Sequence, residues 1–233
     1  RPEIAGLLGL PPGEERDALY RAADNLRRRT VGDVVLLRGI VEFSNVCGQN
    51  CLYCGLRRSN LRLRRYRIAD DEILAAAGRI RAAGVGTVVL QSGEDPFFTA
   101  EKLVRLIGRI RQATGLTVTC SVGERSPEDY RSFREAGAGR YLLKYETAEP
   151  ELYGRLRPGA LLSDRVGCLK TLGGLGYEVG TGNMVGLPGQ TLDMLADDLI
   201  LMRELRASML GIGPFIPHPD TPLAGCPAGD LHL

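Results

Sequence analysis

Short apolar segments alternate along the chain with longer segments of helical periodicity. The apolar segments are rich in β-branched residues or continuously apolar, as strands buried on both faces are. These predicted strands cover residues 36–44, 87–92, 116–122, 141–147, 178–185 and 209–216. Amphipathic segments predict helices over residues 14–29, 71–83, 102–114, 163–175 and 192–206.

Capping residues mark the ends of several predicted helices. Ser126 and Pro127, followed by two acidic residues, supply an N-cap and a first helical turn for a further helix. Ser163 and Thr191 are candidate N-caps of the last two helices. Glycines that end predicted helices follow at Gly84, Gly115 and Gly176.

The repeated strand–helix order predicts an α/β fold with a parallel sheet, because parallel neighbours need right-handed crossovers. An open doubly wound sheet and a TIM-type (βα) barrel both satisfy this order. Polar residues follow the C-terminal end of each strand, which favours a barrel with its chemistry at that mouth. Strands seven and eight are not found, so about six βα units are expected in a fragment of a longer chain. We expect a helical lead-in at 1–32, the barrel core at 33–223 and the start of a C-terminal part at 224–233.

The composition is that of an average soluble domain. Of the 233 residues, 44% are hydrophobic and 25% are charged, and the net charge of +2 does not argue for nucleic acid. The basic clusters at 27–29 and 62–67 are interpreted as solvated faces. No apolar run approaches the ~20 residues of a membrane span, and no signal peptide is recognised. The six cysteines are neither dense nor regularly spaced, which predicts the reducing cytoplasm.

Three cysteines lie close together directly after the first predicted strand. Cys47, Cys51 and Cys54 form a C-x3-C-x2-C motif in a loop with glycine, asparagine and glutamine. A 4Fe–4S cluster normally takes four thiolates, so three would leave one iron open to chelate a small molecule. A structural zinc site usually needs a second cysteine pair or two histidines, and neither accompanies this loop. Three inert buried cysteines are the other alternative, although such a loop is a poor place to bury them.

The motif resembles the signature of the radical S-adenosylmethionine (SAM) superfamily. Segments 43–47, 51–58, 90–96, 141–143 with 146–148, 184–191 and 211–223 are similar to the HydE family of FeFe-hydrogenase maturases, in the biotin synthase-like branch. The resemblance implies a TIM-type barrel, a 4Fe–4S cluster on the three cysteines, and SAM, which is cleaved to methionine and a 5′-deoxyadenosyl radical. It also implies an iron–cysteine–carbonyl–cyanide precursor as substrate, in the maturation of the hydrogenase H-cluster.

The resemblance places candidate SAM contacts at the ends of successive strands. Ser92, Gly93 and Glu94 match the segment that meets the SAM amino group, and Arg165 matches an arginine that pairs with its carboxylate. The other candidates are Tyr53, Thr119, Ser121, Glu146 and Met184. Lys144-Tyr145 and Gly48 depart from the family's pattern near the cavity, which affects substrate recognition more than SAM cleavage.

Related enzymes provide alternatives. Biotin synthase is disfavoured, because its second cluster needs cysteines on strands two, three and five. Strand two has none, Gly180 stands on strand five, and Cys120 on strand three is one residue out of register. The methylornithine synthase of pyrrolysine biosynthesis is the main enzymatic alternative, and a non-catalytic cluster-binding fragment is the alternative of another class.

The expected partners follow from the same resemblance. They are a small-molecule or organometallic substrate and a flavodoxin- or ferredoxin-like electron donor. Neither nucleic acid nor a membrane is expected, and the sequence does not predict the oligomeric state. His218, at the end of the sixth predicted strand, either faces the substrate or is hydrogen-bonded within a rigid loop.

Overall fold

The computed structural model describes residues 1–230, so the last three residues of the predicted segment 224–233 lie outside the described residues. The strands are β1 Gly39–Ser44, β2 Thr87–Ser92, β3 Thr117–Ser121, β4 Ala138–Leu142, β5 Glu178–Thr181, β6 Met184–Val185, β7 Met209–Leu210 and β8 Gly213–Pro214. The helices are α1 Pro2–Leu8, α2 Glu14–Thr30, α3 Asp70–Ala82, α4 Ala100–Thr114, α5 Pro127–Glu135, α6 Pro150–Leu156, α7 Leu162–Gly174 and α8 Leu192–Glu204.

Six strands form one parallel sheet in the order β1-β2-β3-β4-β5-β7, and β6 pairs with β8 separately. The spatial order follows the chain order, with at least one helix in each crossover. A doubly wound sheet reverses its order at a switch point, so this sheet is of the barrel type. Within residues 1–230 the edge strands β1 and β7 each pair with one other strand, apart from a single antiparallel bridge between Ser44 and Arg67, so the barrel is not closed there.

Four predicted strands differ from the observed ones by more than one residue at an end. The strand expected at 36–44 begins three residues later, at Gly39. The strand expected at 141–147 is β4, three residues earlier, and the chain then turns at Glu146, where φ is +70°. The strands expected at 178–185 and 209–216 are each divided into two short strands. The division occurs where the backbones of Gly182 and Gly211 are in close contact. A Cβ atom added at Gly182 would lie only 2.0 Å from the Gly211 carbonyl oxygen.

The helices follow the capping prediction except at α7. The side chains of Ser126 and Thr191 accept hydrogen bonds from the third residues of α5 and α8. The predicted cap at Ser163 is wrong, because α7 begins at Leu162 after Leu161. The short helices α1 and α6 were not expected. No helix within residues 1–230 combines the length and apolar character needed to cross a bilayer.

The main core lies between the sheet and its outer helices. Tyr141 on β4 contacts the rings of Tyr130 and Tyr177 edge to face, with centroids 5.1 and 5.9 Å apart. Its hydroxyl donates to the Gly123 carbonyl oxygen at 2.8 Å. This packing holds the strands from the side of the outer helices and connects the loop after β3 to β4. It thereby positions the loops at the C-terminal edge of the sheet.

Candidate active site

A cavity of about 330 Å³ opens at the C-terminal edge of the parallel sheet. The C-terminal ends of parallel strands share one edge, so the loops that follow β1, β2, β3 and β4 meet there. The walls include the three cysteines, the turn after β2, Ser121 at the end of β3 and the loop after β4. A cavity of this size suits a small-molecule ligand.

The three cysteines lie on the loop after β1, and backbone hydrogen bonds hold this loop in place. The Gly48 amide donates to the Glu94 carbonyl oxygen at 2.9 Å. The Leu52 amide donates to the Leu156 carbonyl oxygen at 2.8 Å. Cys51 is buried, its two neighbours in the motif are half-buried, and all three thiols are free. The loop therefore presents its thiols to the cavity from a fixed backbone.

Burial makes two of these thiols poor acids. It raises the pKa of Cys51 to about 11 and also raises the pKa of Cys54. A bound cation favours the thiolate, so iron would reverse this effect. Within residues 1–230, no three His, Cys, Asp or Glu side chains form a group that could hold one metal ion. A 4Fe–4S cube takes one thiolate on each iron, so its ligands do not converge on a single point.

Gly93 lets the turn after β2 approach the cysteine loop. An added Cβ would lie 2.3 Å from the Val46 carbonyl oxygen and 2.7 Å from the Cys47 Cβ. Only glycine fits this contact without displacing the backbone. Ser92 precedes it, and its hydroxyl donates to the Gly93 carbonyl oxygen at 2.7 Å. This turn therefore fixes the distance between β2 and the cysteines.

Four ionisable side chains meet on one side of the cavity and form the charge cluster, which consists of Glu94, Glu124, Arg157 and Arg165. Arg165 Nε lies 2.8 Å from Glu124 Oε1, and Glu94 Oε1 lies 3.8 and 3.9 Å from the two guanidinium groups. Gln49 Nε2 also donates to Glu94 Oε2 at 2.5 Å. The cluster thus connects the cysteine loop with β2, β3 and α7.

Burial controls the acidity of the charge cluster. Both arginines are only 4% exposed. Burial alone would lower the pKa of Arg165, but the Glu124 and Tyr153 side chains raise it above its ordinary value. Burial raises the pKa of Glu124 although Arg165 opposes this effect. Arg165 therefore stays charged and is held in place by groups of the protein.

Glu146 lies in a strained turn after β4 and lines the cavity. Its left-handed backbone is uncommon for a residue other than glycine. Its amide donates to the Gly182 carbonyl oxygen at 3.1 Å, and its own carbonyl accepts from Met184 at 3.0 Å. Burial raises the pKa of the Glu146 carboxyl, and Lys144, whose Nζ lies 3.7 Å away, opposes the shift.

A fully buried carboxylate on α8 holds this turn. Asp198 Oδ1 accepts from the Ala148 amide at 2.5 Å, and Oδ2 accepts from Asn183 Nδ2 at 2.6 Å. The Tyr145 hydroxyl donates to the Asp198 carbonyl oxygen at 2.6 Å. Asp198 thus binds the chain on both sides of Glu146, which supports the left-handed conformation.

Comparison with known proteins places this site in a family. The sequence model of the Radical SAM superfamily matches residues 41–202. The chain belongs to the radical SAM superfamily. The matched range begins in β1 and ends in α8, and it includes every wall of the cavity described above. The superfamily and the barrel-type fold expected from the sequence are thereby confirmed.

Three relatives show which radical SAM proteins the chain is similar to. It is 52% identical over 217 residues to the "[FeFe] hydrogenase maturase subunit HydE" of Thermotoga maritima, covering 93% of this chain and 62% of that protein. It is 29% identical to the 3-methylornithine synthase of Methanosarcina acetivorans, covering 95% and 63% of the two chains. The crystal structure of methylornithine synthase (PylB) matches with a TM-score of 0.90 at 30% identity, covering 95% and 66%. The chain spans less than two thirds of the length of each relative.

Most residues predicted to contact SAM lie together around the cavity. The predicted residues in its wall are Cys47, Cys51, Tyr53, Cys54, Ser92, Gly93, Glu94, Ser121, Glu146 and Arg165. Thr119 lies deeper on the same face of β3 as Ser121, fully buried and with no hydrogen-bond partner for its hydroxyl within the described chain. Met184 does not line the cavity, but packs with Phe215 and Leu187 behind Tyr53.

Sequence reasoning missed part of this radical SAM site. Arg157 lines the cavity beside the predicted residues, Glu124 contacts Arg165, and Tyr153 joins the two arginines. The Tyr153 hydroxyl accepts from Arg157 at 3.0 Å and from Arg165 at 3.4 Å. The signal that could have found Tyr153 and Arg157 was their spacing by one helical turn, but α6 itself was not predicted. His218 lies outside the cavity wall, with its ring against Gly55 and its Nδ1 accepting from Asp220 at 3.1 Å.

The residues of the cavity fit the cofactors of this superfamily. Three thiols line one cavity, and Gly93, by lacking a side chain, lets the turn after β2 pack against the loop that carries them. The buried Nε of Arg157 has no hydrogen-bond partner within residues 1–230, and guanidinium groups bind carboxylates well. The wall contains both acidic and basic side chains, as a zwitterionic amino acid requires. A cluster on the cysteines and SAM beside the charge cluster are therefore compatible with this cavity.

Proposed function

We propose that the protein is a radical SAM enzyme that acts, like HydE, in the maturation of FeFe-hydrogenase. The observation that carries the proposal is the cavity in which three cysteines of one loop face the charge cluster. When bound, the 4Fe–4S cluster and SAM supply a one-electron cleavage of the sulfonium S–C5′ bond, which yields methionine and a 5′-deoxyadenosyl radical. The identity of 52% to a HydE protein supports the finer assignment.

The residues of this chain have separate tasks in the proposed function. Cys47, Cys51 and Cys54 bind the cluster and leave one iron open. Arg165 binds the SAM carboxylate, because Glu124 and Tyr153 hold its guanidinium in one orientation. The turn from Ser92 to Glu94 meets the amino group.

Other residues orient the nucleoside part of SAM and exclude water. Glu146 contacts it from the loop after β4, where the half-buried carboxyl accepts hydrogen bonds. Tyr53 and Ser121 complete the wall, and Met184 packs behind the Tyr53 ring. Burial of these groups excludes solvent that would quench a radical. Free thiols at all six cysteines support a reducing compartment, and we propose the cytoplasm.

The proposed function can be tested on anaerobically purified protein reconstituted with iron and sulfide. Dithionite and SAM should give 5′-deoxyadenosine, and the reduced cluster should give an EPR signal that changes with SAM. Cys51→Ala should lose the signal, the bound iron and the product. A protein that binds no iron, or binds iron at wild-type level after Cys51→Ala, contradicts the proposal.

A second assay addresses the substrate. The chain should replace HydE in a reconstituted maturation of apo FeFe-hydrogenase, with hydrogen evolution as the readout. The structural likeness to PylB favours one competing assignment, the isomerisation of lysine to methylornithine. Methylornithine formed from lysine and SAM, together with failure in hydrogenase maturation, would select that assignment instead.

A further inference from the structure

An arginine-rich segment directly follows the cysteine loop and has no task in the function proposed above. Six arginines occur between residues 57 and 67. Two of them are structural. Arg65 donates to the carbonyl oxygens of Asn45 and Leu56 at 2.6 and 2.8 Å, and Arg67 donates to Asp95 Oδ2 at 2.7 Å. The other four are Arg57, Arg58, Arg62 and Arg64, and all of them except Arg57 are exposed.

Two of these arginines, Arg57 and Arg62, line one groove together with an exposed apolar side chain. Leu61 is 92% exposed. Arg62 remains 84% exposed although it contacts Asp220 at 3.1 Å, and Arg58 is exposed with no acidic partner within residues 1–230. We call Arg57, Arg58, Leu61 and Arg62 the arginine surface. With residues 219–222, three of its members line a groove of about 400 Å³.

The arginine surface is bonded directly to the loop that carries the cysteines. The Arg57 amide donates to the Cys54 carbonyl oxygen at 3.1 Å, and Arg57 Nε donates to Asn50 Oδ1 at 3.1 Å. The Arg58 amide donates to the Gln49 carbonyl oxygen at 2.8 Å. A partner seated on this surface would therefore lie beside Cys54, on the outer side of the cysteine loop.

We propose that the arginine surface docks an acidic protein that carries one electron and delivers it to the cluster site. The inference rests on the proposed function, which requires one electron from outside the chain for each SAM cleaved. In the docked complex the reduced carrier loses one electron and the cluster gains it, with no atom transferred. That electron is then consumed in breaking the S–C5′ bond.

Charge and shape favour this occupant. Arginines around an apolar centre are enriched in protein–protein interfaces, and complementary charge mainly raises the association rate of a transient complex. The net charge of the whole chain is only +2, so a concentration of positive charge beside the cysteines is local rather than general. An acidic carrier is thus guided to the face where its electron is needed.

The test uses an acidic plant-type 2Fe–2S ferredoxin, reduced by NADPH through its reductase, with dithionite as a reductant that needs no docking. In Arg58→Glu/Arg62→Glu the ferredoxin-driven rate of 5′-deoxyadenosine formation should fall about tenfold or more at low salt. The dithionite-driven rate should stay at the wild-type level. The control Arg79→Glu/Arg131→Glu makes the same change in net charge on the outer helices α3 and α5 and should leave both rates unchanged.

A binding measurement gives a readout that does not depend on turnover. Oxidised ferredoxin, titrated calorimetrically into the reconstituted protein, should bind wild type and the control variant more tightly than Arg58→Glu/Arg62→Glu. This difference should disappear at high salt. The milder variant Arg58→Gln/Arg62→Gln should also bind ferredoxin more weakly than wild type. It provides the test if the double charge reversal damages folding.

The outcomes separate the two proposals. No product from wild type with dithionite would contradict the proposed function, whereas the binding titration would still report on the arginine surface. Equal ferredoxin-driven rates and equal binding in wild type and Arg58→Glu/Arg62→Glu would overturn docking at this surface. Equal losses in both double variants would show a general charge effect and would also overturn it. Single-stranded RNA that binds as tightly as ferredoxin and competes with it would assign the surface to nucleic acid instead.

Discussion

Gly93 shows how one missing side chain shapes the cysteine loop. The nearest atoms to an added Cβ belong to the backbone of Val46 and to the Cβ of Cys47, neither of which can move independently. We therefore expect Gly93→Ala to displace the cysteine loop and to reduce bound iron after reconstitution by at least half. Gly78→Ala is the matched control, because an added Cβ there meets nothing within 4 Å and alanine is favoured in the helix. Equal iron content in the two variants would contradict the role of Gly93.

Asp198 gives the stability of the protein a pH dependence whose sign can be derived. Burial raises the pKa of its carboxyl from 3.8 to about 6, with smaller contributions from Asp197 and Glu146, against the hydrogen bonds from Asn183 and Ala148. A carboxyl whose pKa is higher in the folded chain than in the unfolded chain makes its full contribution to stability at pH values below the unfolded pKa. That contribution is lost as the pH rises through the folded pKa.

Asp198→Asn removes this titration. The free energy of unfolding of wild type, relative to that of the variant, should therefore decrease by on the order of 1–3 kcal/mol between pH 4.5 and pH 7. Urea unfolding at both pH values measures the difference. Asp193→Asn, an exposed change on the same helix, should follow the wild-type profile. Parallel profiles for wild type and Asp198→Asn would show that Asp198 does not titrate as proposed.

Helix α6 matters to the site because it carries Tyr153 and ends at the C-cap residue Arg157, whose side chain contacts the Tyr153 hydroxyl. The Tyr153 hydroxyl accepts hydrogen bonds from Arg157 and Arg165, and its removal leaves two buried donors less well paired. Tyr153→Phe should therefore raise the Kd for SAM about fivefold to thirtyfold, since a buried hydrogen bond to a charged group contributes about 1–2 kcal/mol.

Equilibrium binding of SAM to the reconstituted protein provides the measurement. Tyr177→Phe is the control, because its hydroxyl donates to the Tyr130 carbonyl oxygen in the core, away from the cavity. That variant should lose comparable stability and keep the wild-type Kd. An unchanged Kd in Tyr153→Phe would show that Arg165 is positioned without the tyrosine.

The same helix shows where sequence prediction succeeds and where it ends. Periodicity and capping predicted α4, α5 and α8 well, because these helices bury an apolar face against the sheet. They did not predict the seven residues of α6, because so short a segment carries little periodic signal. Arg157 and Glu124 were missed for a related reason: their importance arises from neighbours brought together by tertiary structure. The cysteine motif was found because its chemistry depends on spacing within a single loop.

At the scale of the whole molecule, the sequential strand order gathers the functional loops at one edge. The residues that form the cavity extend from Cys47 to Arg165 in sequence, and only the parallel sheet brings them within one site of about 330 Å³. Within residues 1–230 the sheet has two edge strands, β1 and β7. The chain just before β1 exposes the side chains of Val34, Val35 and Leu36. The site is thus built on strands that are themselves only partly enclosed.

A site assembled from so many elements should stabilise the whole chain when it is filled. A ligand that binds only the folded state adds RT ln(1 + [L]/Kd), or about 2.7 kcal/mol when SAM is present at about 100 times its Kd. For a domain of this size we expect the Tm of the reconstituted protein to rise by about 5–10 °C. The shift is measured by anaerobic thermal unfolding with and without SAM. Cys51→Ala, which cannot hold the cluster that chelates SAM, should show a much smaller shift. An equal shift in that variant would mean that SAM binds independently of the cysteine loop.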